Sequence, residues 1–192
     1  MLPNLSIHNL VLGSASPRRQ ALLKDAGFDF ELITADIEEN FSDDLKAHEI
    51  PLFLSKLKAN HLIKNLPDNK ILITADTIVW YDNKALNKPV DFSDAVRMLK
   101  ELSGQKHEVF TGVCITSHQK QVSFFVRTVV TFKSLSDEEI EFYVSNYKPF
   151  DKAGAYGAQD WIGLVAVEKI DGSYFNVMGL PVKELFEHLK AF

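Results

Sequence analysis

Cysteine is almost absent from this chain: Cys114 is the only one among 192 residues. A single thiol excludes an intrachain disulfide and any zinc site built from paired CxxC motifs. Flanked by Val113 and Ile115 in an alternating run, it reads as a buried structural thiol, the usual fate of free cysteine. Positive charge is not in surplus either, since 21 Lys and Arg stand against 26 Asp and Glu for a formal net charge of −5. Nucleic-acid polymers and anionic membranes are bound by excess cations that displace counterions, so neither is an expected partner. A small anion stays open, because a few local cations suffice for it. No apolar run approaches the ~20 residues that cross a bilayer, and the opening MLPNLSIHNLVLG carries no basic segment. The expected location is the cytoplasm. Several catalytic signatures are also missing: no GxGxxG, no GxxxxGK[ST], no GxSxG elbow, and no histidine pair at metal-ligand spacing.

What is present is an ordinary globular composition, 46% hydrophobic, at a length that suits one domain over residues 1–192. The hydrophobic period switches repeatedly between strand and helix, the mark of a mixed α/β fold. Leu10 to Leu12 read as a buried strand that runs into Gly13-Ser14-Ala15-Ser16. A helix follows, with Ser16 as N-cap, Pro17 in its first turn and Gly27 as stop. Phe30 to Ile33 read as a strand ending in the acidic stretch from Asp36 to Glu39, and Pro51 to about Leu66 as a helix with Leu54, Leu57 and His61 on one stripe. Ile71 to Tyr81 is the strongest strand, followed by a bend at Asp82-Asn83-Lys84, residues tolerant of positive φ. Ser93 to Ser103 is a capped helix, and Glu108 to Ser117 with Val122 to Phe132 suit a long hairpin. Ser136 and Glu139 make a capping box at the start of another helix. From Tyr147 to Pro181 lie Gly154, Gly157, Gly163, Gly172 and Gly179 out of the chain's 9 glycines, which suggests backbone closely approaching something. A last helix starts at Val182, with Leu185, Phe186 and Leu189 facing inward.

Three features carry chemistry. SASPRR, residues 14–19, places free first-turn amides, a helix dipole and the cations Arg18 and Arg19 at one strand-to-helix junction, an arrangement suited to an anion. Asp76 interrupts an apolar strand, where an ionised carboxylate is costly to bury unless it is paired, meets a metal, or works as a base on water. Glu38 and Glu39 form a second acidic pair that solvation alone would also explain. Lys58, Lys88 and Lys152 are each unremarkable singly, yet with two arginines they could neutralise a triphosphate. His107, just before a strand, reads as structural.

SASPRRQALL, ADTIV at 75–79, LNKP at 86–89, LSGQKHEVFTGV at 102–113, DKAGAYGAQ at 151–159 and IDGSYFNVMGLP at 170–181 resemble, in order and across nearly the whole chain, the motifs of the Maf family of nucleoside triphosphate pyrophosphatases. The resemblance implies an elongated, twisted mixed sheet flanked by helices, related to the ITPase-like fold, with two lobes around a cleft. It implies hydrolysis of a nucleoside triphosphate to the monophosphate and pyrophosphate with a divalent cation, Mg2+ or Mn2+, in a cytoplasmic enzyme that is often a homodimer. On this footing Asp76 is the general base, Asp76 and Glu39 hold the metal, and Ser14, Arg19, Lys58 and Lys88 contact substrate. Specificity positions fall on Arg18, Thr77 and Gln159, matching the branch that acts on dTTP and UTP. The 7-methyl-GTP branch instead carries an aromatic at the first position and an acid at the third. Glutamine can both donate to and accept from a uracil or thymine edge, which a carboxylate cannot. The sequence departs from the family at Asp160, more often glycine. A nucleotide-binding regulator of septum formation is the alternative from another class.

Overall fold

The computed structural model describes residues 9–34 and 37–192, so the expectation placed on Asp36 lies outside the described residues. Leu10–Gly13 is β1, every residue of it buried, and the chain turns at once into α1 (Pro17–Asp25). Ser16 sits at the N-cap as expected, but its side chain makes no capping bond; its backbone N–H donates to Ser14 Oγ instead, at 3.2 Å. A short β2 (Glu31–Ile33) returns beside β1. Next comes α2 (Glu49–Leu62), which starts two residues before Pro51 and tightens into a 3-10 turn at Ile63–Asn65. Its buried stripe is Ile50, Leu54, Ser55, Ala59 and Leu62, while His61 faces solvent.

The apolar run Ile71–Tyr81 is β3, joined by a tight hairpin to β4 (Lys84–Leu86). The two turn residues, Asp82 and Asn83, both take positive φ, as a two-residue hairpin requires. After α3 (Phe92–Leu102), capped by Asp91 accepting from the Asp94 N–H, come β5 (Lys106–Thr116) and β6 (Gln121–Phe132). They form the long hairpin that the alternation implied. The capping box at Ser136 and Glu139 is formed at the start of α4 (Asp137–Tyr147). The glycine-rich stretch then holds a 3-10 turn at Ala153–Ala155, α5 (Trp161–Val165), β7 (Val167–Asp171) and α6 (Tyr174–Met178), before α7 (Val182–Lys190).

One seven-stranded mixed sheet runs through the molecule in the order β2-β1-β3-β5-β6-β7, with β4 also on β3. Strand β3 pairs with β5 along one edge from Leu72 to Trp80. Its other edge is shared: β1 pairs in parallel with Ile71 to Ile73, and β4 antiparallel with Val79 to Tyr81. Between them, among the described residues, Thr74 to Ile78 lack a strand neighbour on that side, so the sheet is notched at mid-strand. On one face α2 covers the sheet through Ala59, Leu62 and Leu72, and through Leu54, Ile78 and Phe110. The other face carries two separate cores. Leu22 and Leu23 of α1 and Leu185 of α7 share one core with Ile73 and Val113 of the sheet, and Leu99 of α3 and Tyr143 of α4 share the other with Val79, Val109 and Phe132. The notch opens between these two cores, giving the two lobes and the cleft.

Gly112, opposite Asp76 in β5, lets α2 lie directly on the sheet. A Cβ there would come within 2.4 Å of the Pro51 carbonyl group, closer than any real contact.

Candidate active site

The notch exposes both faces of β3 to one cleft of about 460 Å³. Asp76 points to the α2 side. Its Oδ1 accepts from Lys58 Nζ at 2.6 Å, and Glu39 Oε1 approaches the same ammonium at 3.1 Å. Lys58 and Asp76 are largely withdrawn from water, with side chains 13% and 11% exposed, whereas Glu39 at 41% stands at the rim. This pairing answers the question raised by a carboxylate in an apolar strand: the charge is offset across the helix-sheet packing that Gly112 permits.

Thr77, the next residue, points to the opposite face and into a hydrogen-bond relay that fixes Arg19. The guanidinium donates from Nε to the Gly179 carbonyl at 2.8 Å, from Nη1 to Ser14 Oγ at 3.3 Å, and from Nη2 to Thr77 Oγ1 at 3.0 Å. Thr77 shares a hydroxyl bond with Thr111 at 2.9 Å, and Thr111 donates to the Asn176 carbonyl at 3.0 Å. Asn176 is fully buried and ties α6 to β5 and β6, donating to the Val109 carbonyl and to Thr128 Oγ1. Gly179 can present its carbonyl to Arg19 because its φ of +113 suits glycine. Burial pulls the Arg19 pKa below the usual guanidinium value, with the Asp76 charge opposing that shift.

Arg18 faces the other way and spans the mouth of the cleft to Asp151, at 2.6 Å. Asp151 also meets Lys152 Nζ at 2.8 Å. Burial works against the Asp151 charge, but Lys152 and Arg18 hold its pKa down at about 2. Lys88, exposed ahead of buried Pro89, lines the cleft and has no ion-pair partner among the described residues. Gln159 lines the far end, exposed, on a turn following Tyr156 and Gly157. Tyr156 is positioned from behind by His107, whose Nε2 lies 2.7 Å from the tyrosine hydroxyl. Thus the nine residues given roles by the family resemblance, from Ser14 to Gln159, border a single cleft together with Lys152, while Glu38 does not line it. Its walls carry Arg18, Arg19, Lys58, Lys88 and Lys152 against Glu39, Asp76 and Asp151, a local surplus of cations in an acidic protein. Asp151 and Tyr143 were missed by sequence reasoning, because only the tertiary fold shows what they bond; Asp160 stands out there only as a departure from the family beside Gln159.

Among the described residues no three His, Cys, Asp or Glu side chains gather to hold a metal ion. Asp76 and Glu39 nevertheless converge on one cationic point. Mg2+ is commonly held by one or two carboxylates, with water and substrate phosphates completing its shell, so this hard oxygen pair fits such an ion when substrate is present. No helix among the described residues is long and apolar enough to cross a membrane.

The chain resembles known proteins over nearly its whole length. A protein named dTTP/UTP pyrophosphatase from Bacteroides fragilis (strain YCH46) is 49% identical over 191 residues, covering 99% of both chains. One of the same name from Flavobacterium johnsoniae is 50% identical over 185 residues, covering 96% of this chain and 95% of its own. The fold is similar to the Staphylococcus aureus Ham1 protein, with a TM-score of 0.54, 14% identity and coverage of 95% and 98%. Residues 9–192 match the family described as Maf-like protein, and the chain belongs to that family.

Proposed function

We propose that this cleft hydrolyses nucleoside triphosphates, dTTP and UTP foremost, to the monophosphate and pyrophosphate. The observation that carries the reading is the notch in β3, where a paired carboxylate on one face and an anchored arginine on the other border the same space. The names of the half-identical relatives support the substrate choice. In this reading residues 1–192 work as one domain.

The chemistry follows from the charges. Asp76 accepts the proton of the water that attacks the α-phosphorus, and Lys58, 2.6 Å away, holds the carboxylate in place. Arg19, held by three acceptors, presents a fixed cation where charge grows on the departing pyrophosphate, so no reorganisation is needed as the bond breaks. Ser14 and the first-turn amides of α1 add donors beside it. Lys88 and Lys152 offer further cations along the chain of phosphates. Gln159 reads the carbonyl and imide edge of the base, and Arg18, by gripping Asp151, steadies the segment that carries it. Thr77 acts through Arg19. A divalent cation, Mg2+ or Mn2+, would be held by Asp76 and Glu39 and would neutralise phosphate oxygens.

Asp76→Asn tests the assignment. The amide keeps an oxygen toward Lys58 but takes no proton, so pyrophosphate release should fall by about 10²–10⁴-fold while a non-hydrolysable dTTP analogue still binds. Undiminished turnover would remove Asp76 from the base role.

A further inference from the structure

Gln159 makes no side-chain hydrogen bond with any described residue, so nothing in its own side chain fixes where the amide sits. Its position is set by the turn it rides on, and that turn is tied down from behind. Tyr143 of α4 is fully buried. Its hydroxyl donates to Asp160 Oδ2 at 2.9 Å and accepts from the Gly157 N–H at 3.1 Å. The two residues flanking the Ala158-Gln159 pair are therefore fastened to one phenol. Burial first, and then the Asp160 charge, raises the Tyr143 pKa, so the hydroxyl keeps the proton that Asp160 accepts. Asp160 closes the turn through its own N–H, which donates to the Gly157 carbonyl at 3.0 Å. Space is tight inside it: a Cβ on Gly157 would lie 2.6 Å from Asp160 Oδ2 and 2.9 Å from Gln159 Nε2. A slack turn would not keep the amide there. On its outer side Asp160 faces Lys152 Nζ at 3.7 Å, and Lys152 bonds Asp151, the partner of Arg18.

We infer that Asp160 and Tyr143 are positioning residues for base selection: together they hold the 157–160 turn so that the Gln159 amide meets the pyrimidine edge in one orientation. The inference rests on the proposed reading of Gln159 and deepens it. Neither residue touches substrate; each acts through the turn. An amide fixed in advance pays less ordering cost on binding and rejects a base whose donors and acceptors are reversed. Cytosine presents a donor where uracil and thymine present a carbonyl, so dCTP is the discriminating competitor.

The test measures kcat and KM for dTTP and dCTP in wild type, Tyr143→Phe, Asp160→Ala, Asp160→Asn and Gln159→Ala, with thermal melts to confirm that each is folded. Asp160→Ala removes one hydrogen bond from the relay and Tyr143→Phe removes two, so KM for dTTP should rise about tenfold in the first and at least as far in the second. Their kcat should stay within about twofold, and the dTTP-to-dCTP ratio of kcat/KM should fall about tenfold. Asp160→Asn still offers an oxygen to the Tyr143 hydroxyl and should restore that ratio to near wild type. A merely structural role would lower both substrates alike. If folded Tyr143→Phe and Asp160→Ala keep the wild-type ratio while Gln159→Ala loses it, the inference is overturned and the reading of Gln159 stands. If Gln159→Ala also keeps the ratio, the reading of Gln159 itself fails.

Discussion

Thr77→Val separates two jobs that a residue at the centre of the cleft could do. Valine has nearly the shape of threonine but no hydroxyl, so the change removes the bonds to Arg19 Nη2 and Thr111 Oγ1, of 3.0 and 2.9 Å, and a longer one to the Gly179 carbonyl at 3.4 Å. Arg19 keeps the Gly179 carbonyl at 2.8 Å and Ser14 Oγ at 3.3 Å, while one N–H of a partly desolvated cation loses its acceptor. A hydrogen bond to a charged group contributes about 1.5–3 kcal/mol, which in a domain of this size corresponds to a fall in melting temperature of roughly 3–12 °C. With its plane less firmly held, Arg19 should stabilise the transition state less, and kcat/KM should drop about tenfold or more. Because Arg19 faces phosphate and not base, the loss should be equal for dTTP, UTP and dCTP. Steady-state kinetics on the three nucleotides, with a thermal melt on the same preparation, makes the comparison. A collapse of the preference for dTTP and UTP, with turnover of dCTP and the melting temperature unchanged, would instead place Thr77 at the base.

Two further perturbations test the frame around the site. Burial drives the His107 pKa down to about 3, so the folded protein keeps it neutral while the unfolded chain takes up a proton below the ordinary value of 6.5. Its contribution is complete above about pH 6.5 and declines as the pH falls toward 3, at up to ~1.4 kcal/mol per pH unit. His107→Gln, which retains an amide toward the Tyr156 hydroxyl, should flatten the acid side of the melting curve relative to wild type, and parallel curves would contradict this. Gly112→Ala would drive a methyl group to within 2.4 Å of the Pro51 carbonyl and push α2, with Lys58, off the sheet. A destabilisation of about 1–3 kcal/mol and a lowered kcat are expected in chemical denaturation and turnover assays; wild-type values in both would show that α2 can yield.

The parts legible in the sequence are those specified by local physics. Strand β3 announced itself by eleven residues of apolar character and Asp76 by interrupting them; the hairpin at Asp82-Asn83 and the capping box at Ser136 follow from backbone chemistry alone. By contrast β7 was hidden, because its five residues are mostly exposed and show no alternation, and α5 and α6 are each five residues long. Arg18 and Arg19 looked like one anion site. The fold gives them separate partners, since adjacent helical residues point about 100° apart. The tie from Asp160 through Tyr143 to Gly157 joins α4 to a turn beyond it, and no local pattern encodes such a contact.

Product analysis of the purified protein on a nucleotide panel shows whether the cleft is a pyrimidine triphosphate pyrophosphatase. With Mg2+ or Mn2+ supplied, dTTP and UTP should be consumed fastest and give only the nucleoside monophosphate and pyrophosphate. Survival of dTTP and UTP while another nucleotide is hydrolysed, or release of orthophosphate with the diphosphate, would contradict it.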